Sequence, residues 1–258
     1  MPETTLDISP IPAFQDNYIW LIEAGGNACA VVDPGDADPV LKVLEERGLE
    51  LAYILLTHHH HDHAGGVQAL LDRYPARVYG PADERIPFVH RVCSQGDEIH
   101  LPDIGARFRV LEVPAHTRSH IAYYAPGILF CGDTLFSLGC GRLFEGTPAD
   151  MQTALDKLAV LPPETRVYCA HEYTQANCAF ALAVEPENTL LQSRAREIDR
   201  LRANGEITLP SRLGDELAMN PFLRTRADGV VRKAREIEPK TMPGVETMAV
   251  IRAWKDRF

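Results

Sequence analysis

The apolar positions of the first two-thirds of the chain fall in short runs separated by polar or amphipathic segments. Seven of these runs have the length and character of β-strands and occupy residues 17–22, 28–33, 51–56, 107–113, 121–124, 128–131 and 166–169. Residues 36–47 instead place Val40 and Leu44 at helical spacing, and Gly48 ends this helix. Strands that alternate with helices predict an α/β domain.

The pattern becomes mostly helical after about residue 173. Residues 176–184 and 189–202 have helix-forming composition, and helical stretches recur after Ser211 and Val245. The change of pattern predicts two domains, residues 1–172 and residues 173–258.

A histidine-rich segment separates one predicted strand from the next predicted helix. Residues 57–63 contain five histidines and one aspartate. Neutral imidazole and carboxylate are the ligands of a borderline cation such as Zn²⁺. Open α/β sheets place their ligands at such strand ends. The segment is internal, which argues against a purification tag, and no cysteine lies near it, which argues against a closed structural zinc site.

The spacing within this segment indicates two metal positions. His58 and His60 alternate along the chain, whereas Asp62 and His63 are adjacent and serve a second point in space. Three further candidates each closely follow a predicted strand: His116, Asp133 and His171. A carboxylate such as Asp133 can bridge two cations with its two oxygens. The other histidines are expected on the surface, in packing, or in support of the ligands: His59, His61, His90, His100 and His120.

Composition narrows the class of protein. The 258 residues carry a net charge of -10, which argues against non-specific binding to nucleic acid. No apolar run has membrane-spanning length, and residues 1–5 show no secretion signal. The six cysteines form no CxxC pair. We therefore expect a cytoplasmic monomer with reduced thiols. Residues 221–258 hold nine Lys or Arg against five Asp or Glu. This excess hints at an anionic small ligand, although an ordinary helix surface explains it more simply.

The motifs together resemble one family. Residues 57–63 fit the T-H-x-H-x-D-H signature of the metallo-β-lactamase-fold superfamily, and within it the chain closely resembles glyoxalase II, the hydroxyacylglutathione hydrolases. The superfamily signature is shared by many hydrolases, whereas G-C-G-R, H-E-Y-T and R-x-x-K-D are specific to this family. The segments that carry the likeness are residues 11–18, 32–35, 116–117, 132–136, 139–142, 171–174 and 252–256.

The resemblance implies a fold and a set of site residues. The fold would be α/β, a four-layer αββα sandwich over residues 1–172, followed by a small helical glutathione-binding domain over residues 173–258. One metal would lie on His58, His60 and His116, and a second on Asp62, His63 and His171, with Asp133 bridging both. Asp62 and Asp133 would be the catalytic carboxylates. Glutathione contacts would fall on Arg142, Tyr173, Arg252 and Lys255, with Phe144 a packing contact at most.

The resemblance also implies a reaction. It would be hydrolysis of the thioester S-D-lactoylglutathione to glutathione and D-lactate by a metal-bridging hydroxide, with two divalent ions, zinc first and iron or manganese as alternatives. Two alternatives remain open at this point. One is another reaction on the same fold, such as that of a single-iron persulfide dioxygenase or a lactonase. The other is a non-catalytic metal-binding protein, which would need a closed coordination sphere.

Overall fold

The computed structural model describes residues 6–258, so the segment searched for a secretion signal, residues 1–5, lies outside the described residues. The chain forms two compact units. The first comprises the described residues through Glu112 together with Ser119–Gly132, and the second comprises Val113–Arg118 together with Asp133–Phe258. The sequence-based division at residue 172 follows the change in element type rather than these contacts, and it stays a prediction.

The first unit is built on a six-stranded mixed sheet and an antiparallel set of four strands. Its strands are β1 (Asp7–Ala13), β2 (Asn17–Glu23), β3 (Ala28–Val32), β4 (Glu50–Leu55), β5 (Arg77–Gly80), β6 (Arg91–Val92), β7 (Glu98–Leu101), β8 (Ala106–Glu112), β9 (Ile121–Ala125) and β10 (Ile128–Gly132). Strands β1 to β6 lie side by side in chain order, and β7 to β10 likewise. The helices are α1 (Ala37–Arg47), α2 (His61–Ala64) and α3 (Val67–Leu71).

Helix α1 shows why the predicted element forms. The side chain of Asp36 accepts from the backbone N–H of Asp38, and Gly48 closes the helix in the left-handed conformation with φ of 64°. Val40 and Leu44 are fully buried in the core cluster that includes Leu21 and Ile54. The apolar face predicted from the spacing is therefore the face that packs on the sheet.

The second unit is mainly helical, as the pattern predicts. Its helices are α4 (Pro148–Ala159), α5 (Thr174–Val184), α6 (Thr189–Ala203), α7 (Leu213–Met219), α8 (Asp228–Ile237) and α9 (Val245–Lys255). Two short antiparallel pairs accompany them: β11 (Leu135–Phe136) with β12 (Gly139–Cys140), and β13 (Arg166–Cys169) with β14 (Ser211–Arg212). Thr147 caps α4 in a capping box with Asp150.

Two chemical expectations concern the whole described chain. All six cysteines are free thiols and buried. Among residues 6–258, none of the helices combines the length and the apolar character that crossing a bilayer requires.

Candidate metal centre

The histidine-rich segment is anchored to the sheet where β4 ends. Leu56 donates its backbone N–H to the carbonyl of Tyr79 at 2.8 Å, and the carbonyl of Thr57 accepts from Ile121 at 2.9 Å. The chain then turns into α2, with His60 as its N-cap. Because neighbouring strands hold both sides of the segment, its side chains start from a fixed position beyond the strand end.

Asp33, at the end of β3, orients two of the histidines. It is 4 % exposed, has φ of 53°, and accepts the Thr57 N–H at 2.8 Å and the Thr57 hydroxyl at 2.7 Å. Its Oδ2 also lies 3.0 Å from Nδ1 of His63, and the Thr57 oxygen lies 3.0 Å from Nδ1 of His58. Both Nδ1 protons then point at oxygen acceptors, which leaves each Nε2 lone pair available to a cation.

The distances between donor atoms in the first unit are close to those between two ligands of one cation. Two ligands of a tetrahedral Zn²⁺ with bonds of about 2.0–2.2 Å are about 3.3–3.5 Å apart. His58 Nε2 lies 3.0 Å from His60 Nδ1, and His63 Nε2 lies 3.5 Å from Asp62 Oδ2. These are the two pairs that the sequence spacing separates. Asp33, His58 and His63 also offer atoms within 4.8 Å of one another, but the Asp33 carboxylate is committed to Thr57.

Asp62 is held in place by two residues that sequence reasoning assigned no role. Asn17 donates its side-chain amide to Asp62 Oδ2 at 3.2 Å. At Gly35, a Cβ atom would lie 1.9 Å from the Asp62 carbonyl oxygen, so only glycine allows this close approach. The segments that carried the family resemblance include Asn17, Gly35 and Asp33. This resemblance was the one sequence signal that could have indicated a role for them.

The second unit contributes a carboxylate between two histidines. Asp133 Oδ1 lies 3.4 Å from Nε2 of His171, and Oδ2 lies 3.5 Å from Nε2 of His116. All three residues are buried. His116 donates its Nδ1 proton to the carbonyl of Arg142 at 2.9 Å, because a carbonyl only accepts, and so Nε2 keeps its lone pair. One oxygen towards each histidine is the arrangement that a carboxylate bridging two cations requires.

Aromatic rings pack on these two histidines. Tyr173 stacks on His171 with ring centroids 4.6 Å apart and planes 5° apart. Phe144 meets the His116 ring at 5.2 Å with its plane inclined by 68°. Phe144 is thus a packing contact, and Tyr173 is partly exposed beside a candidate ligand.

The remaining histidines divide into supporting and exposed residues. His59 Nδ1 lies 3.4 Å from Oδ2 of Asp83, whose pKa is held well below its usual range mainly by hydrogen bonds from Arg85. His120 is buried and stacks on His58 with centroids 4.6 Å apart. The exposed ones are His61, His90 and His100.

A cationic group, defined as Arg142, Arg252 and Lys255, forms in the second unit. Arg252 donates to Asp256 Oδ1 at 3.1 Å, and Nε of Arg142 lies 3.9 Å from the same oxygen. Lys255 donates to the carbonyl of Ala176 at 3.2 Å. Burial, and after it the positive charge of Arg252, lowers the pKa of Lys255 to about 8. Two of the three cations contact the Asp256 carboxylate and Lys255 has no carboxylate partner among the described residues, so the group keeps an excess of positive charge that suits an anionic ligand.

Arg252 differs from the other two cations in its exposure. It is 4 % exposed, donates to the carbonyl of Cys140 at 2.9 Å, and lies 5.1 Å above the Phe222 ring. Direct contact between Arg252 and a ligand stays a prediction. Its burial favours a role through the positive potential and through the position of the Cys140 segment.

Comparisons with known proteins show the family to which the chain belongs. The model of the metallo-beta-lactamase superfamily matches residues 14–171, and that of the hydroxyacylglutathione hydrolase C-terminus matches residues 172–258. The hydroxyacylglutathione hydrolase of Photobacterium profundum is 53% identical over 98% of this chain and 100% of its own length. That of Aeromonas hydrophila is 54% identical over 96% of this chain and 98% of its own.

Solved structures show the same fold. The crystal structure of ETHE1 from Myxococcus xanthus is 22% identical, with a TM-score of 0.64 over 97% of this chain and 98% of that one. A protein solved in a di-iron-bound form, TTHA1623, is 30% identical, with a TM-score of 0.54 over 64% of this chain and 91% of that one. The chain thus belongs to the hydroxyacylglutathione hydrolase family of the metallo-β-lactamase superfamily, with that superfamily's α/β fold and the family's helical C-terminal domain.

Proposed function

We propose that this chain hydrolyses S-(2-hydroxyacyl)glutathione, with S-D-lactoylglutathione as the type substrate, to glutathione and a 2-hydroxy acid such as D-lactate. This is the second step of methylglyoxal detoxification. The observation that carries the proposal is the Asp133 carboxylate with one oxygen towards each of two histidines, in a chain whose relatives of the same length are hydroxyacylglutathione hydrolases. The cationic group supports an anionic substrate.

The donor set fits two divalent cations. One would be held by His58, His60 and His116, the other by Asp62, His63 and His171, and Asp133 would bridge them. The spacing of the donor pairs within each unit supports these sets, and a set of imidazoles and carboxylates favours zinc while accepting iron or manganese. When bound, the two ions supply Lewis acidity and make water a nucleophile near neutral pH.

The protein's own groups orient the reaction. Asp62, which accepts a hydrogen bond from Asn17, would also accept one from the attacking water. The leaving group is a thiolate, and a thiol pKa of about 8.5 makes it a good one. No protein thiol is needed as nucleophile, and burial raises the pKa of Cys169 to about 12, which keeps it protonated.

The substrate would be gripped by its glutathione part. Lys255 and Arg142 would meet the glycine carboxylate, Arg252 would strengthen the local positive potential, and Tyr173 would lie alongside the peptide. Each charge-assisted bond contributes about 1.5–3 kcal/mol. We expect the protein to act as a monomer in the cytoplasm.

The first experiment measures metal content and activity on one purified sample. We expect about two metal equivalents per chain and release of thiol from S-D-lactoylglutathione. Oxygen consumption with glutathione persulfide, or opening of a lactone, in the absence of thioester hydrolysis would instead identify one of the rival reactions on this fold. Metal without any of these activities would identify a binding protein.

Paired variants test the ligand assignment. His60→Ala should lose metal and most turnover, whereas His100→Ala, an exposed histidine 3.7 Å from Glu98, should lose neither. Asp133→Ala should lose more metal than any single histidine variant, because it is proposed to bind both ions. Wild-type metal content in Asp133→Ala would refute the bridging role.

A further inference from the structure

Two phenylalanine rings enclose the ammonium group of Lys255. Its Nζ lies over the Phe180 ring, 5.1 Å from the centroid, and over the Phe258 ring, 5.8 Å from the centroid. The two ring centroids are 5.3 Å apart and the planes are inclined by 78°, so the rings form two walls of a corner. The carbonyl of Ala176 accepts a hydrogen bond from the same ammonium at 3.2 Å.

The two rings differ in how firmly they are held. Phe180 lies in α5, is fully buried, and stacks on Phe222 with centroids 5.9 Å apart. Phe258 is 60 % exposed and reaches the corner over Trp254, whose ring centroid is 6.1 Å from its own. Phe180 is therefore part of the core, whereas Phe258 is a separate wall that can be changed without opening the core.

The partners of Lys255 hold the cation without neutralising it. Ring faces attract an ammonium through their quadrupole, and a carbonyl attracts it through a dipole, so the full positive charge remains. In residues 6–258, no carboxylate lies within ion-pair distance of the Lys255 ammonium, and the carboxylate of Asp256, the next residue, pairs with Arg252. If the ammonium had a carboxylate partner, an anionic ligand would have to displace that partner before it could bind. Rings and a carbonyl leave the ammonium ready to bind an anionic ligand.

Restraint of the side chain has a consequence for affinity. A free lysine side chain carries about 2 kcal/mol of rotamer entropy, which a ligand must overcome when it orders the ammonium. A side chain that is already ordered avoids much of this loss.

We infer that Phe258 is a positioning residue for substrate binding: with Phe180 it fixes the Lys255 ammonium as a preformed, uncompensated cation for the glycine carboxylate of the glutathione moiety. The inference rests on the proposed function, because it takes Lys255 to be the carboxylate contact. It adds a specificity element to that function, since a ligand without the glycine carboxylate gains nothing from an ordered Lys255.

Calorimetric binding of S-methylglutathione, which has no thioester to hydrolyse, tests the inference on the metal-loaded protein. Phe258→Leu keeps apolar bulk but removes the ring, and should weaken binding about 3- to 10-fold. Phe258→Tyr keeps the ring and should bind within about twofold of wild type. With the thioester substrate, Phe258→Leu should raise KM by a similar factor and leave kcat nearly unchanged.

A double-mutant cycle separates positioning from a general structural effect. In a Lys255→Met background, Phe258→Leu should change affinity by less than about twofold, because the group on which it acts is gone. γ-Glutamyl-S-methylcysteine, which lacks the glycine, should likewise bind wild type and Phe258→Leu equally. An undiminished effect in the Lys255→Met background, or wild-type affinity in Phe258→Leu, overturns the inference.

Failure of the underlying function would look different. If Lys255→Met itself binds S-methylglutathione as tightly as wild type, the proposed glutathione grip is wrong and the inference falls with it. If Lys255→Met weakens binding and Phe258→Leu does not, the grip stands and only the role of Phe258 is refuted.

Discussion

Asp33→Asn is the substitution that most directly tests how the first unit prepares its metal ligands. The Asp33 carboxylate accepts from Thr57 twice and faces Nδ1 of His63 at 3.0 Å. Asparagine tolerates the φ of 53° at this position and keeps an acceptor for the Thr57 N–H. Its NH₂ group, however, donates where the carboxylate accepted. The His63 Nδ1 must then accept, which moves its proton to the Nε2 atom that should face the metal.

The size of the effect follows from this change of tautomer. Loss of a hydrogen-bond partner behind a metal-ligating histidine costs about 10- to 100-fold in metal affinity, or about 1.4–2.7 kcal/mol. The two hydrogen bonds from Thr57 also lose their charge assistance, and each becomes weaker by about 1 kcal/mol. The free energy of unfolding should therefore fall by about 1–2 kcal/mol. The variant should therefore fold, yet hold one of the two proposed metal ions less tightly.

Competition with a chromophoric chelator, starting from metal-free protein, measures this loss. Asp103→Asn is the matched control, because that carboxylate bonds Tyr53 in the same unit and supports no candidate ligand. We expect one zinc equivalent to bind about 10- to 100-fold more weakly in Asp33→Asn and neither equivalent to change in the control. If Asp33→Asn binds both zinc equivalents with affinities within about twofold of wild type, the argument that Asp33 sets the His63 tautomer is refuted.

Three further outcomes follow from the same structure. Because Lys255 has a pKa of about 8, affinity for S-methylglutathione should be greatest below pH 8 and fall as pH rises through that value. Lys255→Arg should remove this fall, and an unchanged profile would contradict the assignment. Cys140→Ser and Cys169→Ser should each keep thioesterase activity, and mass spectrometry that found an acyl group on either thiol would exclude hydrolysis by water. Arg252→Ala should raise KM by about 5- to 150-fold with metal content unchanged, and an unaltered KM would show that Arg252 plays no part in binding.

Much of the fold could be predicted because it follows from local patterns. The seven predicted strands and the predicted helices occur at their expected places, since buried strands and helix caps leave clear signals in the sequence. The sequence pattern does not reveal β1, because Pro10 and Pro12 obscure it. The structure shows the reason they are tolerated, since β1 lies at the edge of its sheet, where a missing N–H does no harm.

The candidate site also contains some residues that could be predicted from the sequence and some that could not. The candidate metal ligands could be named from the sequence because histidine and aspartate after strands are distinctive, and their assignment stays a prediction. Asn17 and Asp33 could not be assigned a role, since a buried polar residue acquires one only through partners distant in sequence: Asp33 meets His63 thirty positions away. The burial of Arg252 could not be predicted from the sequence pattern either, because it depends on Phe222 and Cys140, which lie in other elements.

In the proposed function, the loop from Asp133 to Arg142 would connect metal binding to substrate binding within the second unit. It begins with Asp133, the proposed bridging carboxylate. Its Cys140 carbonyl accepts from Arg252, and its last carbonyl, that of Arg142, accepts the Nδ1 proton of His116. Buried Glu216, whose pKa is raised by burial, accepts the backbone N–H of Leu138 at 2.7 Å. Asn177 of α5 donates to the carbonyl of Ser137, and Asn220, just after α7, donates to the carbonyls of Phe136 and Gly139. A shift of this loop would therefore displace a metal ligand and a member of the cationic group together. In the proposed function, the helical C-terminal domain would thus act as a scaffold that keeps the substrate's carboxylate at a constant distance from Asp133 and His116.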